Sequence, residues 1–291
     1  VGNRRWRSVV VGRDHTCGID VGGMVYCWGG NAYGQLGIND PSVEHVTEPT
    51  KVDTDLRFSE ITAGQYHTCA VTTVTNRVLC WGRNDLDQLG SAGGDAYAPR
   101  PVDSDLEFRR IAAGWNHTCA LRGPSAIGGH VYCWGDNAHG QLGNQSRTRA
   151  VAPDSVITNR KFMRIAAGSR HTCGIDESTT GHVVVCWGSN AQGQLGHGPE
   201  VTMDSVPREV SRPRFEAREV TAGENHTCIV TWQQRQPYCW GANTSGQLGM
   251  GDSDDRSYPT LVVGAPSFDV ISAGPLHTCA ASSLEGAYCW G

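Results

Sequence analysis

The chain has 291 residues and a net charge of −5, enough length for one large domain or two ordinary ones. No basic run is available to displace counterions from a phosphate backbone, so nucleic acid is not an expected partner. Hydrophobic residues make up 38% of the chain and no run of 18 apolar residues occurs, which excludes disorder as the main state and a membrane-spanning helix.

The opening Val1-Gly2-Asn3-Arg4 has no Met and no charged-then-apolar leader, as expected of a processed chain or a segment of a longer one. Trp6-Arg7-Ser8-Val9 reads as the inner strand of a first unit. A tight hairpin follows at Val21-Gly22-Gly23-Met24, and then a Gly-rich turn from Gly30 to Gly37. In the next unit Phe58 to Ala63 alternates and stops at Gly64. His67 to Val71 is a second strand and Val78 to Trp81 a third. Pro99-Arg100-Pro101-Val102 fits an edge strand, where proline is tolerated.

That unit is written six times. Each copy carries His-Thr-Cys, ending at Cys17, Cys69, Cys119, Cys173, Cys228 and Cys279, with steps of 52, 50, 54, 55 and 51 residues. Each copy then carries a second cysteine, at Cys27, Cys80, Cys133, Cys186, Cys239 and Cys289, opening Cys-Trp-Gly. Five copies continue into a Gly-rich turn such as Ala242-Asn243-Thr244-Ser245-Gly246-Gln247-Leu248-Gly249; the second is the loosest, with Asp87 replacing a glycine. Four short strands per period of about 50, with no 3.6-residue stripe, predict an all-β propeller. The copies run approximately over 6–56, 57–107, 108–161, 162–214, 215–267 and 268–291, the last incomplete.

The twelve cysteines form six close pairs 10 to 14 residues apart, with none left over. Structural zinc uses close C-x2–4-C pairs, a spacing absent here, so no metal site is expected. Disulfides between adjacent antiparallel strands, where facing Cα atoms lie ~4.5–5.5 Å apart, are the expected chemistry. They place the chain in an oxidising, extracellular setting.

The string I-x-A-G-x-x-H-T-C-A-L … V-Y-C-W-G-x-N-x-x-G-Q-L-G resembles the repeat of the regulator of chromosome condensation family, over nearly the whole chain. The resemblance implies a β-propeller, usually of seven blades. The paired cysteines are similar to those of the extracellular, Crinkly-type members. Six copies predict six blades of mostly four strands with one disulfide each; the alternative is seven blades, one supplied by sequence not present here. The sixth blade is expected to have three strands, leaving Ala287 to Trp290 as an open edge that is covered either by more polypeptide beyond Gly291 or by a docked neighbour.

Residues present in every copy read as scaffold. The six histidines are expected to pin their own blades through hydrogen bonds to backbone rather than to form a metal ring. The Cys-Trp-Gly tryptophans are expected to pack between blades over the disulfides. Asn31, Asn84, Asn137, Asn190 and Asn243 are expected to hold turns at positive φ.

Function lies in what varies. Trp115 stands where other copies carry Arg13, Gln65, Ser169, Glu224 and Pro275. Light-sensing members of the resembled family cluster several tryptophans on such a face, which one Trp cannot do. Arg13, Tyr66, Trp115, Arg170 and Glu224 are the candidate binding face, aromatic plus arginine being the composition of a protein-binding hot spot. The acidic run Gly251-Asp252-Ser253-Asp254-Asp255 lacks the late Glu of a calcium loop and reads as solvated. No G-x-S-x-G or H-E-x-x-H occurs, so no catalytic residue and no cofactor are expected. Sequons stand at Asn116, Asn144, Asn225 and Asn243; Asn144 is the candidate outside the repeat motif.

The expected role is a non-enzymatic, secreted or cell-surface module that binds a protein or assembles with itself. A filament or sheath subunit is one alternative. A secreted enzyme inhibitor is another, and a small-GTPase exchange factor a third; the last is disfavoured by the cysteines and by the absence of a long insertion.

Overall fold

In the computed structural model each repeat folds as one antiparallel sheet; the described residues are 4–123, 128–177, 181–211 and 216–291. The first copy gives β1 (Trp6–Val11), β2 (His15–Asp20), β3 (Val25–Gly30) and β4 (His45–Lys51). The second gives β5 (Phe58–Ala63), β6 (His67–Thr72), β7 (Val78–Gly82) and β8 (Ala96–Pro101). The third gives β9 (Phe108–Ala113), β10 (His117–Arg122), β11 (Val131–Gly135) and β12 (Ala150–Ser155). The fourth gives β13 (Phe162–Ala167), β14 (His171–Asp176), β15 (Val184–Ser189) and β16 (Met203–Glu209). The fifth gives β17 (Ala217–Ala222), β18 (His226–Thr231), β19 (Pro237–Gly241) and β20 (Arg256–Leu261). Among the described residues the sixth gives β21 (Val270–Ala273), β22 (Thr278–Ser282) and β23 (Gly286–Trp290), a three-stranded sheet where the other five have four strands.

The fold is a six-bladed, all-β propeller. Its blades fall into two compact units, one holding the sheets of blades one to three, the other blades four to six with the Gly-rich turn of blade three. In the first unit Phe58, Trp81, Phe108 and Trp134 share a buried cluster with Leu36 and Leu89. In the second, Ile175, Val184, Leu195 and Trp240 do the same. Truncating one of the buried tryptophans to Ala would cost about 3–5 kcal/mol. Among the described residues no helix is long and apolar enough to cross a membrane.

Every cysteine faces its expected partner across the second and third strands of its own blade. All six disulfides form, with Cα–Cα distances of 4.1 to 4.2 Å. The bond draws the strands closer than the ~4.5 Å of an unbridged pair.

The repeated His, Thr, Gln and Trp lock one blade to the next. The imidazole Nε2 of His15 lies 2.9 Å from the Thr68 hydroxyl of the following blade. His67 meets Thr118, His171 meets Thr227 and His226 meets Thr278 at the same 2.9 Å. Each threonine hydroxyl donates its single hydrogen back to the backbone carbonyl of a turn glutamine: Thr68 to Gln35, Thr118 to Gln88, Thr227 to Gln194 and Thr278 to Gln247. Toward the imidazole the hydroxyl is therefore an acceptor, so Nε2 carries the proton. Three of these carbonyls also accept indole N–H groups, Trp134 on Gln88, Trp240 on Gln194 and Trp290 on Gln247, and the Gln141 carbonyl likewise accepts both the Thr172 hydroxyl and the Trp187 indole.

Two scaffold expectations need correcting. The histidines join neighbouring blades through a side-chain hydroxyl instead of pinning their own backbone; a ring of 51 to 56 residues separates the partners, beyond what a repeat motif displays. The turn asparagines do not take positive φ; among the described residues the non-glycine residues that do are Asn39, Asn76, Asp87, Gln145 and Arg235. Instead Asn31 accepts the Leu36 amide and donates to the Val43 carbonyl, and Asn84, Asn190 and Asn243 repeat this bridge. The asparagine thus ties its turn to the segment that leads into the fourth strand.

The sixth disulfide differs from the rest. The ten cysteines of the first five blades have 0% exposure, whereas Cys279 is half-buried and Cys289 exposed. A mild reductant under native conditions should open Cys279–Cys289 about tenfold or more faster than the other five, because exchange requires access to sulfur. Timed alkylation with peptide mass spectrometry checks this; six equal rates would contradict it.

Candidate binding face

The candidate face is built on the short loop between the first and second strands of each blade. There the chain reads Gly-x-x-His, and the glycine is required by contact. A Cβ on Gly64 would sit 2.2 Å from the His67 ring and 2.5 Å from the Gly114 carbonyl oxygen. The tight loop carries the variable residues from blade to blade. In the first unit the Arg13 amide donates to the Gln65 carbonyl at 3.2 Å, and the Gln65 amide to the Trp115 carbonyl at 3.1 Å. In the second the Ser169 amide donates to Glu224 at 3.0 Å and the Glu224 amide to Pro275 at 3.2 Å.

Within the first unit the structure gathers a stacked group. The Tyr33 and Tyr66 rings lie 5.0 Å apart at 49°. The Arg83 guanidinium stands 5.0 Å from the Tyr33 ring and 5.8 Å from the Tyr66 ring. Arg13 stands 5.9 Å from Tyr66. Arg83 is held by Asp85. Each such cation–ring contact contributes ~0.5–1 kcal/mol at an exposed site. The tyrosines are half-buried and Arg13 is exposed, so the group offers rigid aromatic area and a charge to an incoming partner.

Arg13 and Tyr66 were legible in the sequence as variable loop residues. Tyr33 and Arg83 were not, because each belongs to a different element. Tyr33 comes from the Gly-rich turn of blade one, and Arg83 follows β7. Trp115 is half-buried and joins the group only through the backbone contact of its carbonyl with Gln65. In the second unit Arg170 is exposed and Glu224 half-buried, and the Glu224 carbonyl also accepts the Ser169 hydroxyl.

The other candidate chemistries have plain structural uses. Asp252 accepts the Asp254 amide and pairs with Arg256 at 2.6 Å, while Asp255 accepts the Asn243 amide; the acidic run is satisfied by its own loop. Among the described residues no three His, Cys, Asp or Glu side chains gather as a metal site. Of the sequons, Asn243 is fully buried and its Nδ2 donates to the Asp252 carbonyl and carboxylate, which leaves no room for a glycan on that nitrogen in the folded chain. Asn225 accepts the Ser169 hydroxyl and Asn116 is half-buried. Asn144 lies in a half-exposed loop, its Oδ1 accepting the Ser146 amide.

The blade geometry agrees with what comparison with known proteins finds. The RCC1-like domain pattern matches residues 2–291. The chain belongs to the RCC1-like domain family. It is 30% identical to the Ultraviolet-B receptor UVR8 of Arabidopsis thaliana, over 98% of this chain and 64% of that protein. It spans less than two thirds of the length of the curated relatives it matches. Prp20p from Saccharomyces cerevisiae shares the fold with a TM-score of 0.82 at 24% identity, over 98% of this chain and 71% of that one; its structure is described with its binding properties to Gsp1p and histones. The CRINKLY ectodomain of the Arabidopsis thaliana receptor kinase ACR4 shares it with a TM-score of 0.62 at 21% identity, over 100% of this chain and 81% of that one.

Proposed function

We propose that this RCC1-like chain is a non-enzymatic, extracellular protein-binding module whose contact centre is the Arg13, Tyr33, Tyr66 and Arg83 group. The observation that carries the reading is the stacked tyrosine pair flanked by two arginines on a variable loop face, set on blades that are otherwise uniform. The repeated residues are consumed by the lock between blades, so only the variable ones remain for recognition. Protein binding by a relative of the same fold supports the reading. Six disulfides, and a fold shared with a receptor ectodomain, support the compartment.

The test uses affinity capture from the native extracellular fraction with two proteins, the wild type and an Arg13→Ala, Tyr66→Ala double variant. A protein captured by the wild type should bind the variant about 30-fold more weakly, the loss expected of a hot spot. The melting temperature should stay unchanged. Arg170→Ala in the other unit serves as the control. Equal capture by wild type and double variant would refute this contact centre.

A further inference from the structure

Blades two and four build one corner from different residues. The corner joins the end of the Gly-rich turn to the fourth strand of the same blade. In blade four His197 follows the Gln-Leu-Gly of the turn. Asp204 on β16 stands opposite Gly188, and Arg208 stands opposite Cys186. These three side chains meet. The His197 Nδ1 lies 2.6 Å from one Asp204 carboxylate oxygen, and the Arg208 guanidinium lies 3.8 Å from the same oxygen. The imidazole is fully buried. One carboxylate therefore serves both cationic or donor groups of the corner.

Blade two carries Ser91, Ala96 and Arg100 at the same three positions. Ser91 follows Gln88-Leu89-Gly90. Ala96 on β8 stands opposite Gly82, and Arg100 stands opposite Cys80. Both donors of the corner are kept, a hydroxyl replacing the imidazole and a guanidinium retained. The acid between them is replaced by a methyl group. Ser91 is 3% exposed and Ala96 8%. The Ser91 Oγ and the Arg100 Nε and Nη2 are buried, and among the described residues none of the three has a hydrogen-bond partner. The two acids flanking the loop are used by backbone: Asp95 accepts the Asn84 amide at 2.8 Å and Asp103 the Ala92 amide at 3.3 Å. A guanidinium stays charged, and its buried N–H groups can only donate. Burying them without an acceptor is costly, and orphaned buried donors of this kind point to a bound ion or water.

We infer that the corner of blade two is a binding site for a small monovalent anion, which takes the part that the Asp204 carboxylate plays in blade four. Arg100 supplies the charge and two N–H donors, and Ser91 supplies a hydroxyl donor. Alanine and aspartate differ by one carboxylate group, which sets the size of the ligand: chloride or formate, in preference to sulfate or phosphate. The way in passes the exposed loop Ala92-Gly93-Gly94. Gly93 lies directly over the guanidinium, where a Cβ would stand 3.2 Å from Arg100 Nη1, and a Cβ on Gly94 would meet nothing within 4 Å. Two residues without side chains thus separate the cation from solvent.

The test follows the melting temperature at fixed ionic strength while sodium gluconate is exchanged for sodium chloride, sodium formate or sodium sulfate. The wild type should gain about 2 °C or more, saturably, with chloride and with formate, because an ion held only by the folded state stabilises it. Ala96→Asp supplies the carboxylate from the chain itself. It should melt above the wild type in gluconate and lose the response to chloride. Arg100→Gln should lose that response too; should it fail to fold, Ala96→Asp decides alone. In crystals grown with bromide, an anomalous peak should lie within hydrogen-bond range of the Arg100 guanidinium in the wild type and be missing in Ala96→Asp. An equal chloride response in wild type and Ala96→Asp, a response to sulfate in place of chloride, or no bromide beside Arg100 in the wild type would each overturn the inference.

Discussion

Lowering the pH from about 7.5 to about 5 should destabilise the protein by about 6 kcal/mol. Three fully buried histidines carry the effect. Burial pushes the His67 imidazole down to about 3, assisted by His15 and His117. It pushes His117 and His226 down to about 4. In the unfolded chain the same groups titrate near 6.5, so between pH 6.5 and 4 the unfolded state binds more protons than the folded one. The stability from the neutral imidazoles is thus full above 6.5 and lost as the pH falls toward 4. At pH 5 each group accounts for about 2 kcal/mol of the loss. The carboxylates held low, Asp40, Asp55, Asp252 and Asp269, act only below the ordinary carboxylate range and do not blur this window. The melting temperature should fall by about 10 °C or more over the interval. Calorimetry in buffers of different ionisation heat should show uptake of about three protons on unfolding at pH 5. A flat melting profile, or no proton uptake, would mean that these three buried imidazoles are not held neutral.

The architecture was legible because it is local and repeated. A strand of Phe58 to Ala63 ending at Gly64, a cysteine pair 11 residues apart and a proline in the fourth strand each declare themselves within a few residues. The six disulfides followed, since facing positions on neighbouring strands leave each cysteine one near partner. The lock was not legible. A period says that His67 recurs; it does not say that its ring reaches Thr118 in place of its own backbone. The turn asparagines were misread for a related reason. Flanking glycines suggested a strained φ, while the true constraint is a bridge from Asn31 to Leu36 and Val43. Of the candidate face, Arg13 and Tyr66 stood out by varying among copies. Tyr33 and Arg83 became relevant only when folding set a turn of one blade beside a loop of the next.

The lock also separates the chain's repeated residues from its variable ones. His, Thr, Gln and Trp bond one another between sheets, with two donors on the Gln88, Gln141, Gln194 and Gln247 carbonyls. A partner could engage those groups only by separating blades. The proposed contact centre accordingly lies on side chains of the loops that vary from blade to blade.

The lock predicts very different outcomes for two glycine substitutions in equivalent loops. A Cβ on Gly223 would lie 2.1 Å from Cε1 of His226 and 2.5 Å from the carbonyl oxygen of Gly274. His226 is fully buried and bound to Thr278, so neither the ring nor the carbonyl has anywhere to go. Overpacking of this kind costs about 3 kcal/mol, with loss of the imidazole–hydroxyl bond as the ring is displaced. A Cβ on Gly274 would come as near, 2.2 Å, to Cε1 of His277. His277 is exposed, however, and a solvent-facing ring can swing aside. Gly274→Ala should therefore cost less than about 1 kcal/mol, in the range of a surface change. Urea unfolding of the two variants beside the wild type measures the difference directly. Gly223→Ala should move the midpoint strongly and Gly274→Ala hardly at all. Equal losses would show that the sixth histidine is held as tightly as the fifth, and that its blade is covered on that side.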